Sequence, residues 1–191
     1  MVSSRDAPKT YEDLLNPKWK GKMGMDAASD DWFAGMVKMM GKKKGLEYMR
    51  QLAQQDIQLR TGRTLNTQMV TSGELSIAIP LYNHRVEEMK RKGSPVEWIA
   101  LEPVIPEKNL IAISAHAPHP NAAKLFVDFV LSREAQQMLA SFYRIPARAD
   151  VDAQVPELKL KGRKIWPVDL SIADDYEKYV KLFLETFMKK Q

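Results

Sequence analysis

Three short groups of residues in this sequence combine side chains of a type that can do chemistry. Ser29-Asp30-Asp31 sets a hydroxyl beside two carboxylates, Arg63-Thr64 sets a guanidinium beside a hydroxyl, and Tyr82-Asn83-His84 places a phenol, an amide and an imidazole in a row. Oxygen and imidazole donors suit a metal ion or a polar solute, and a guanidinium suits a carboxylate or phosphonate. Each group also has a purely structural reading: Ser29 and Asp31 as helix caps, Arg63 as a solvated rim residue, His84 as the first turn of an exposed helix. Tyr82 follows Pro80 at the end of an apolar run, where the chain forces a side chain toward a cleft.

Other chemistries lack their residues. Gly35 to Gly41 followed by Lys42 and Lys43 is one residue too long for a phosphate loop, and no Ser or Thr follows the lysine to hold magnesium. GxGxxG, HExxH and GxSxG are absent, and His116 and His119 straddle Pro118 without a Cys or carboxylate beside them. Asp30 or Asp31 as a general base would lack a positioned partner, so the expectation is a protein that is not an enzyme. The lysines of 42–44 and 159–164 are not interleaved with stacking aromatics, which makes them a solvated charged face and speaks against a nucleic-acid partner.

The elements that must position the three groups follow from periodicity. A short turn opens at Thr10 and Asp13 and ends at Pro17, and a strand is expected around Lys22–Met25. A helix from Ser29 carries Trp32, Phe33, Met36, Val37 and Met40 on one face until Gly41. After a basic turn at Lys42–Lys44 come a second helix with Leu46, Met49 and Leu52, a strand at Ile57–Arg60, and a helix at Thr64–Ser72. A buried strand at Leu75–Ile79 and a charged helix at Asn83–Lys92 complete the repeat. Strands are further expected at Val96–Ala100 and Asn109–Ser114, then a helix pair from Pro118, and a closing helix through Ile172, Tyr176, Tyr179, Val180, Phe183 and Phe187. Alternating strand and helix predicts an α/β sheet with crossover helices, and the three groups fall where strand ends meet helix starts, the usual place for a ligand.

The 191 residues, 45% hydrophobic and 28% charged with only 9 Gly and 11 Pro, have the make-up of a folded globular chain of one or two domains. With no cysteine, disulfides, thiolate metal sites and cysteine nucleophiles are excluded. The net charge of +5 is too mild to point to a polyanionic partner. The stretch MVSSRDAPKTYEDLL has no apolar leader core, and no run approaches the ~18 apolar residues of a membrane span, so a soluble chain without a signal peptide is expected.

Four stretches in order, YEDLLNPKWKGKMGM (11–25), TSGELSIAI (71–79), KRKGSPVEW (90–98) and APHPNAAKLFVDFVLSREAQQ (117–137), resemble the periplasmic ferric-iron-type solute-binding proteins, the extracellular components that feed ABC importers. The resemblance implies an α/β, type II periplasmic-binding-protein-like lobe, a sheet flanked by helices, plus a partial second lobe. The chain would be the C-terminal portion of such a protein. Residues 1–108 and 143–191 would form its C-terminal ligand-binding lobe, and 109–142 would belong to an otherwise missing N-terminal lobe. The implied partners are a small solute and an ABC permease, in the periplasm or outside the cell, with membrane association through the permease. Without the missing N-terminal lobe, Phe126, Val127 and Phe129 would be exposed, so the segment is expected to pack back on the second lobe or to pair with a second copy of the chain.

In iron-binding members one loop supplies donors to a synergistic anion and another supplies two adjacent tyrosines to the metal. The corresponding ligand-binding residues here are Ser29, Asp30, Asp31, Arg63, Thr64, Tyr82, Asn83 and His84, with Tyr82 and His84 as the metal candidates. The tyrosine pair is broken, because an ungapped match from Gly73 sets Asn83 and His84 over it. One phenol with an amide and an imidazole makes a weaker ferric site than two phenolates, so Fe3+ is retained only as a possible transported ligand beside other small ions and organic solutes. The competing reading is a truncated lobe that no longer transports and works as a protein-interaction or regulatory module.

Overall fold

The computed structural model describes residues 2–3, 5–107, 109–167 and 170–188. The element order is β1 (Met23–Asp26), α1 (Asp30–Met40), α2 (Lys42–Ala53), β2 (Gln58–Arg60), α3 (Arg63–Thr71), β3 (Ile77–Ala78), α4 (Asn83–Arg91), α5 (Pro120–Leu131), α6 (Arg133–Ser141) and α7 (Tyr176–Phe187). The three strands form one parallel sheet in the order β2-β1-β3, with Gly24 opposite Gln58 on one side and Ala78 on the other. The central strand is buried at all four residues, as a parallel strand covered on both faces should be. The fold is therefore α/β, a small parallel sheet flanked by helices, as its alternating pattern predicts.

Two compact units can be distinguished. The first comprises 1–106 and 162–191, the second 107–161. In the first, Met23, Met25, Phe33, Met36, Met49 and Leu52 are fully buried, and α1 packs on both α2 and α7. Phe33 meets Phe183 edge-on with ring centroids 5.9 Å apart, so the closing helix contributes aromatic packing to the same core. The α1–α2 crossing is close because Gly45 lies against Val37: a Cβ there would come 2.6 Å from the Val37 Cα and 2.8 Å from its carbonyl oxygen. Gly24 is similarly required, since its Cβ would come 2.3 Å from Leu75 Cδ1.

The segment before β1 is fastened by phenols. The Tyr11 hydroxyl donates to the Pro103 carbonyl at 2.9 Å, and the Tyr48 hydroxyl donates to the Tyr11 carbonyl at 2.8 Å. Burial pushes the Tyr11 phenol up to about 12 and raises Tyr48 as well, because a phenolate in this setting would lose its hydration.

In the second unit, α5 and α6 pack together. Ser132 caps α6 by accepting from Ala135 N at 3.2 Å, and the buried Gln136 donates to the Val130 carbonyl and accepts from Ala147 N. α5 has no buried residue, and Phe126 and Phe129 are 60% and 46% exposed.

Several elements differ from the sequence expectation. Val96–Ala100 and Asn109–Ser114 are not strands: among the described residues nothing pairs with them, and a strand without a hydrogen-bonded neighbour gains nothing from its extended form. Leu110, in the second of these, is 87% exposed. The expected strand at Leu75–Ile79 contracts to Ile77–Ala78, and Lys42–Lys44 is the first turn of α2, not a linker. The closing helix is 3-10 over Leu170–Asp175 and turns α-helical only at Tyr176.

Two outcomes follow. Gly45→Ala gains about 1 kcal/mol of helix propensity but forces two backbones apart, and overpacking of this kind costs roughly 1–3 kcal/mol, so a lower urea midpoint is expected. The neutral phenols of Tyr11 and Tyr48 are the folded-state form, so their contribution is fully present below about pH 10 and is lost as pH rises through about 12. Urea titrations across pH 8–12 should show this loss, and Tyr11→Phe should flatten it.

Candidate functional site

The C-terminal ends of the three parallel strands lead directly into the three residue groups. β1 runs through a short loop to Asp31 on the first turn of α1, β2 runs to Arg63 as the first residue of α3, and β3 runs to Tyr82 just before α4. With β1 between its two neighbours, the crevice at these carboxyl ends is where an open α/β sheet binds ligands.

Arg63 is the centre of the cluster. Its side chain is only 7% exposed, and its Nη2 donates to both carboxylate oxygens of Asp31, at 3.1 and 3.2 Å. The guanidinium carbon lies 4.8 Å from the centre of the Tyr82 ring, and the Tyr82 and His84 rings stack with centroids 5.4 Å apart. Asp31, Arg63, Tyr82 and His84 are thus brought into one chain of contacts by three separate loops. The rim reading of Arg63 is excluded by its burial.

The remaining predicted residues stand elsewhere. Asp30 accepts a hydrogen bond from the Tyr176 hydroxyl, which raises the pKa of that phenol, so Asp30 fastens α1 to α7. Thr64 is exposed, and Asn83 uses its side-chain oxygen to accept from His84 N at 2.8 Å. Ser29 is fully buried, but its Oγ makes no hydrogen bond and does not cap α1. Among the described residues no group of three or more His, Cys, Asp or Glu side chains is placed to hold a metal ion.

Asp26 is a positioning residue that the sequence reading missed. Buried at the end of β1, its Oδ1 accepts from Ala28 N at 3.2 Å and from Gly62 N at 2.9 Å, so one carboxylate holds the loops before α1 and α3 together. Gly62 sits at φ +100°, a conformation that favours glycine and that aims its N–H at this carboxylate. Behind it, Asn66 donates to the Gly62 carbonyl and Thr67 to the Arg63 carbonyl, fixing the turn that carries Arg63. A carboxylate closing an otherwise apolar strand is the signal that could have marked Asp26.

Fold comparison identifies the architecture as that of the type II periplasmic binding proteins. The periplasmic binding protein P5PA is 24% identical with a TM-score of 0.79, and the match covers 97% of this chain and 65% of that one. Iron-bound HitA from Pseudomonas aeruginosa is 23% identical with a TM-score of 0.72, over 97% and 63% of the two chains. AfuA from Actinobacillus pleuropneumoniae, in a structure with exogenous fructose-6-phosphate bound, is 20% identical with a TM-score of 0.78, over 96% and 61%. Residues 1–169 match the family of bacterial extracellular solute-binding proteins, and the chain belongs to that family. It spans 40% of the length of a curated relative, an uncharacterized protein of Haemophilus influenzae to which it is 27% identical over 144 residues, or 70% of this chain.

Removal of the Asp26 carboxylate should be felt in both loops. Asp26→Ala leaves the amides of Ala28 and Gly62 without their acceptor, at a cost of about 1–3 kcal/mol. Hydrogen exchange should accelerate at Gly62 before it does in the core of α1.

Proposed function

We propose that the chain is part of the substrate-binding component of an ABC transporter, capturing a small polar solute between two lobes for delivery to a membrane permease, with no bond chemistry of its own. The observation that carries this reading is the meeting of Asp31, Arg63, Tyr82 and His84 at the carboxyl ends of three parallel strands. The cluster combines one buried cation, an aromatic surface and polar rims, a set suited to holding a solute by contact. Membership of the extracellular solute-binding family supports the same reading, and with it a place in the periplasm or outside the cell. Among the described residues no helix is long and apolar enough to cross a membrane. In this reading association with the membrane runs through the permease.

In this reading residues 109–142 belong with the other lobe. The exposed Leu110, Phe126 and Phe129 are then the surface on which the rest of that lobe builds. A second copy of the chain covering the same surface is the alternative, and would favour an interaction module.

Ferric iron is one candidate cargo, since HitA is iron-bound, and a phosphorylated sugar is another, since AfuA was seen with fructose-6-phosphate. Thermal-shift and calorimetric titration against ferric nitrilotriacetate, fructose 6-phosphate, phosphonates, thiamine and polyamines should reveal at least one ligand that raises the melting temperature. Tyr82→Ala, which removes the ring over Arg63, should abolish that shift. If a version carrying both lobes also responds to none of these ligands, the transport reading fails.

A further inference from the structure

We infer that Tyr176 is a positioning residue for the candidate site: by holding Asp30 it fixes the first turn of α1, and with it the place where Asp31 meets Arg63. The inference rests on the solute-binding reading only for what that position serves. Asp30 and Asp31 are the first two residues of α1, and consecutive helical residues point about 100° apart. One carboxylate goes to Tyr176, whose hydroxyl donates to it, and the other goes to Arg63 on α3. A turn held on two sides cannot rotate about the helix axis without breaking one of these contacts.

The start of α1 needs such a hold. Ser29, at its N-cap, is fully buried yet makes no capping hydrogen bond, so the first-turn amides lack the usual side-chain acceptor. Asp31 supplies one from within the turn: its Oδ1 accepts from Trp32 N at 2.7 Å and from Arg63 Nη2 at 3.1 Å. A single oxygen therefore ties the helix start to the ion pair, and fraying of the turn displaces the carboxylate beside Arg63.

Tyr176 suits this role because the closing segment is itself anchored. Phe183, 1% exposed, meets Phe33 edge-on, and Phe187 lies 6.3 Å from the same ring. In the preceding 3-10 turn, Ser171 Oγ accepts from Lys38 Nζ, near the other end of α1. Tyr176 is 49% exposed, so its ring contributes far less to the core than Phe183 does. Loss of the hydroxyl alone thus separates positioning from packing.

The test compares Tyr176→Phe, Asp30→Ala, Asp30→Asn, the double variant Tyr176→Phe/Asp30→Ala, and Phe187→Leu in the chain without ligand. Two readouts are followed: the Arg63 Nε–Hε resonance, and amide exchange at Phe33, whose N–H donates to the Ser29 carbonyl in the first turn. Tyr176→Phe should speed exchange at Phe33 about threefold to tenfold, the scale of one hydrogen bond, and should shift the Arg63 resonance although the bond it removes is to Asp30. Asp30→Ala should do the same, and the double variant no more than either single change, because the two residues act in series. Asp30→Asn keeps an acceptor oxygen and should stay close to wild type. Phe187→Leu loosens the α1–α7 packing while leaving the Tyr176 hydroxyl in place, so it should lower the melting temperature without moving the Arg63 resonance.

An Arg63 resonance unmoved by Tyr176→Phe overturns the inference, whatever happens to exchange. So does a Phe187→Leu variant that shifts it equally, or a double variant whose shift is the sum of the two single ones. The solute-binding reading fails by a separate result, the absence of any rise in melting temperature with fructose 6-phosphate, ferric nitrilotriacetate, phosphonates, thiamine or polyamines in a version carrying both lobes. The ligand-free resonance decides the inference in either case.

Discussion

Because Met23–Asp26 is buried along its whole length, each polar group of this strand has to be satisfied inside the protein, and that requirement organises its surroundings. Backbone pairing to β2 and β3 satisfies the strand laterally. At its carboxyl end the same need is met in the opposite sense, since the Asp26 carboxylate accepts from two loop amides that would otherwise lack a partner. The strand must also leave room for its neighbours: with Leu75 and Asn66 pressed against Gly24, no side chain larger than hydrogen fits at that position. A buried strand with a carboxylate at its tip thus sets both the sheet and the relative placement of the loops that carry Asp31 and Arg63.

The site inherits its character from that placement. A guanidinium held on the first turn of α3 is withdrawn from water and must be neutralised locally, which Asp31 does from the first turn of α1. Tyr82 arrives from the third strand and lays its ring against the same group. Three loops with no sequence proximity therefore share one charge. Electrostatics of this kind favours selectivity for a solute of complementary charge more than raw affinity.

Much of this was legible in the sequence. The helical spacing of Phe33, Met36 and Val37 announced the buried face of α1, and the apolar run ending at Pro80 announced a strand that delivers Tyr82 to a cleft. The expectation of an α/β lobe and the resemblance to solute-binding proteins agree with the fold and with family membership. The two strands that did not form share one cause. Val96–Ala100 and Asn109–Ser114 have strand-like composition, but a strand exists only with a neighbour, and composition does not report whether one is there.

The sequence by itself determined the order of elements, the apolar faces and the three positions where chemistry gathers, because periodicity and chain punctuation are local properties. It left Arg63 balanced between a solvated rim and a ligand contact, and it grouped Asp30 with Asp31 as if they shared a role. Only the tertiary structure separated them, sending Asp30 to Tyr176 and Asp31 to Arg63. It also singled out Asp26 as the clamp between loops. The physical reason is that burial and charge pairing depend on residues 19 to 36 positions apart meeting across a sheet, and neither the identity of a residue nor its immediate neighbours encodes that meeting.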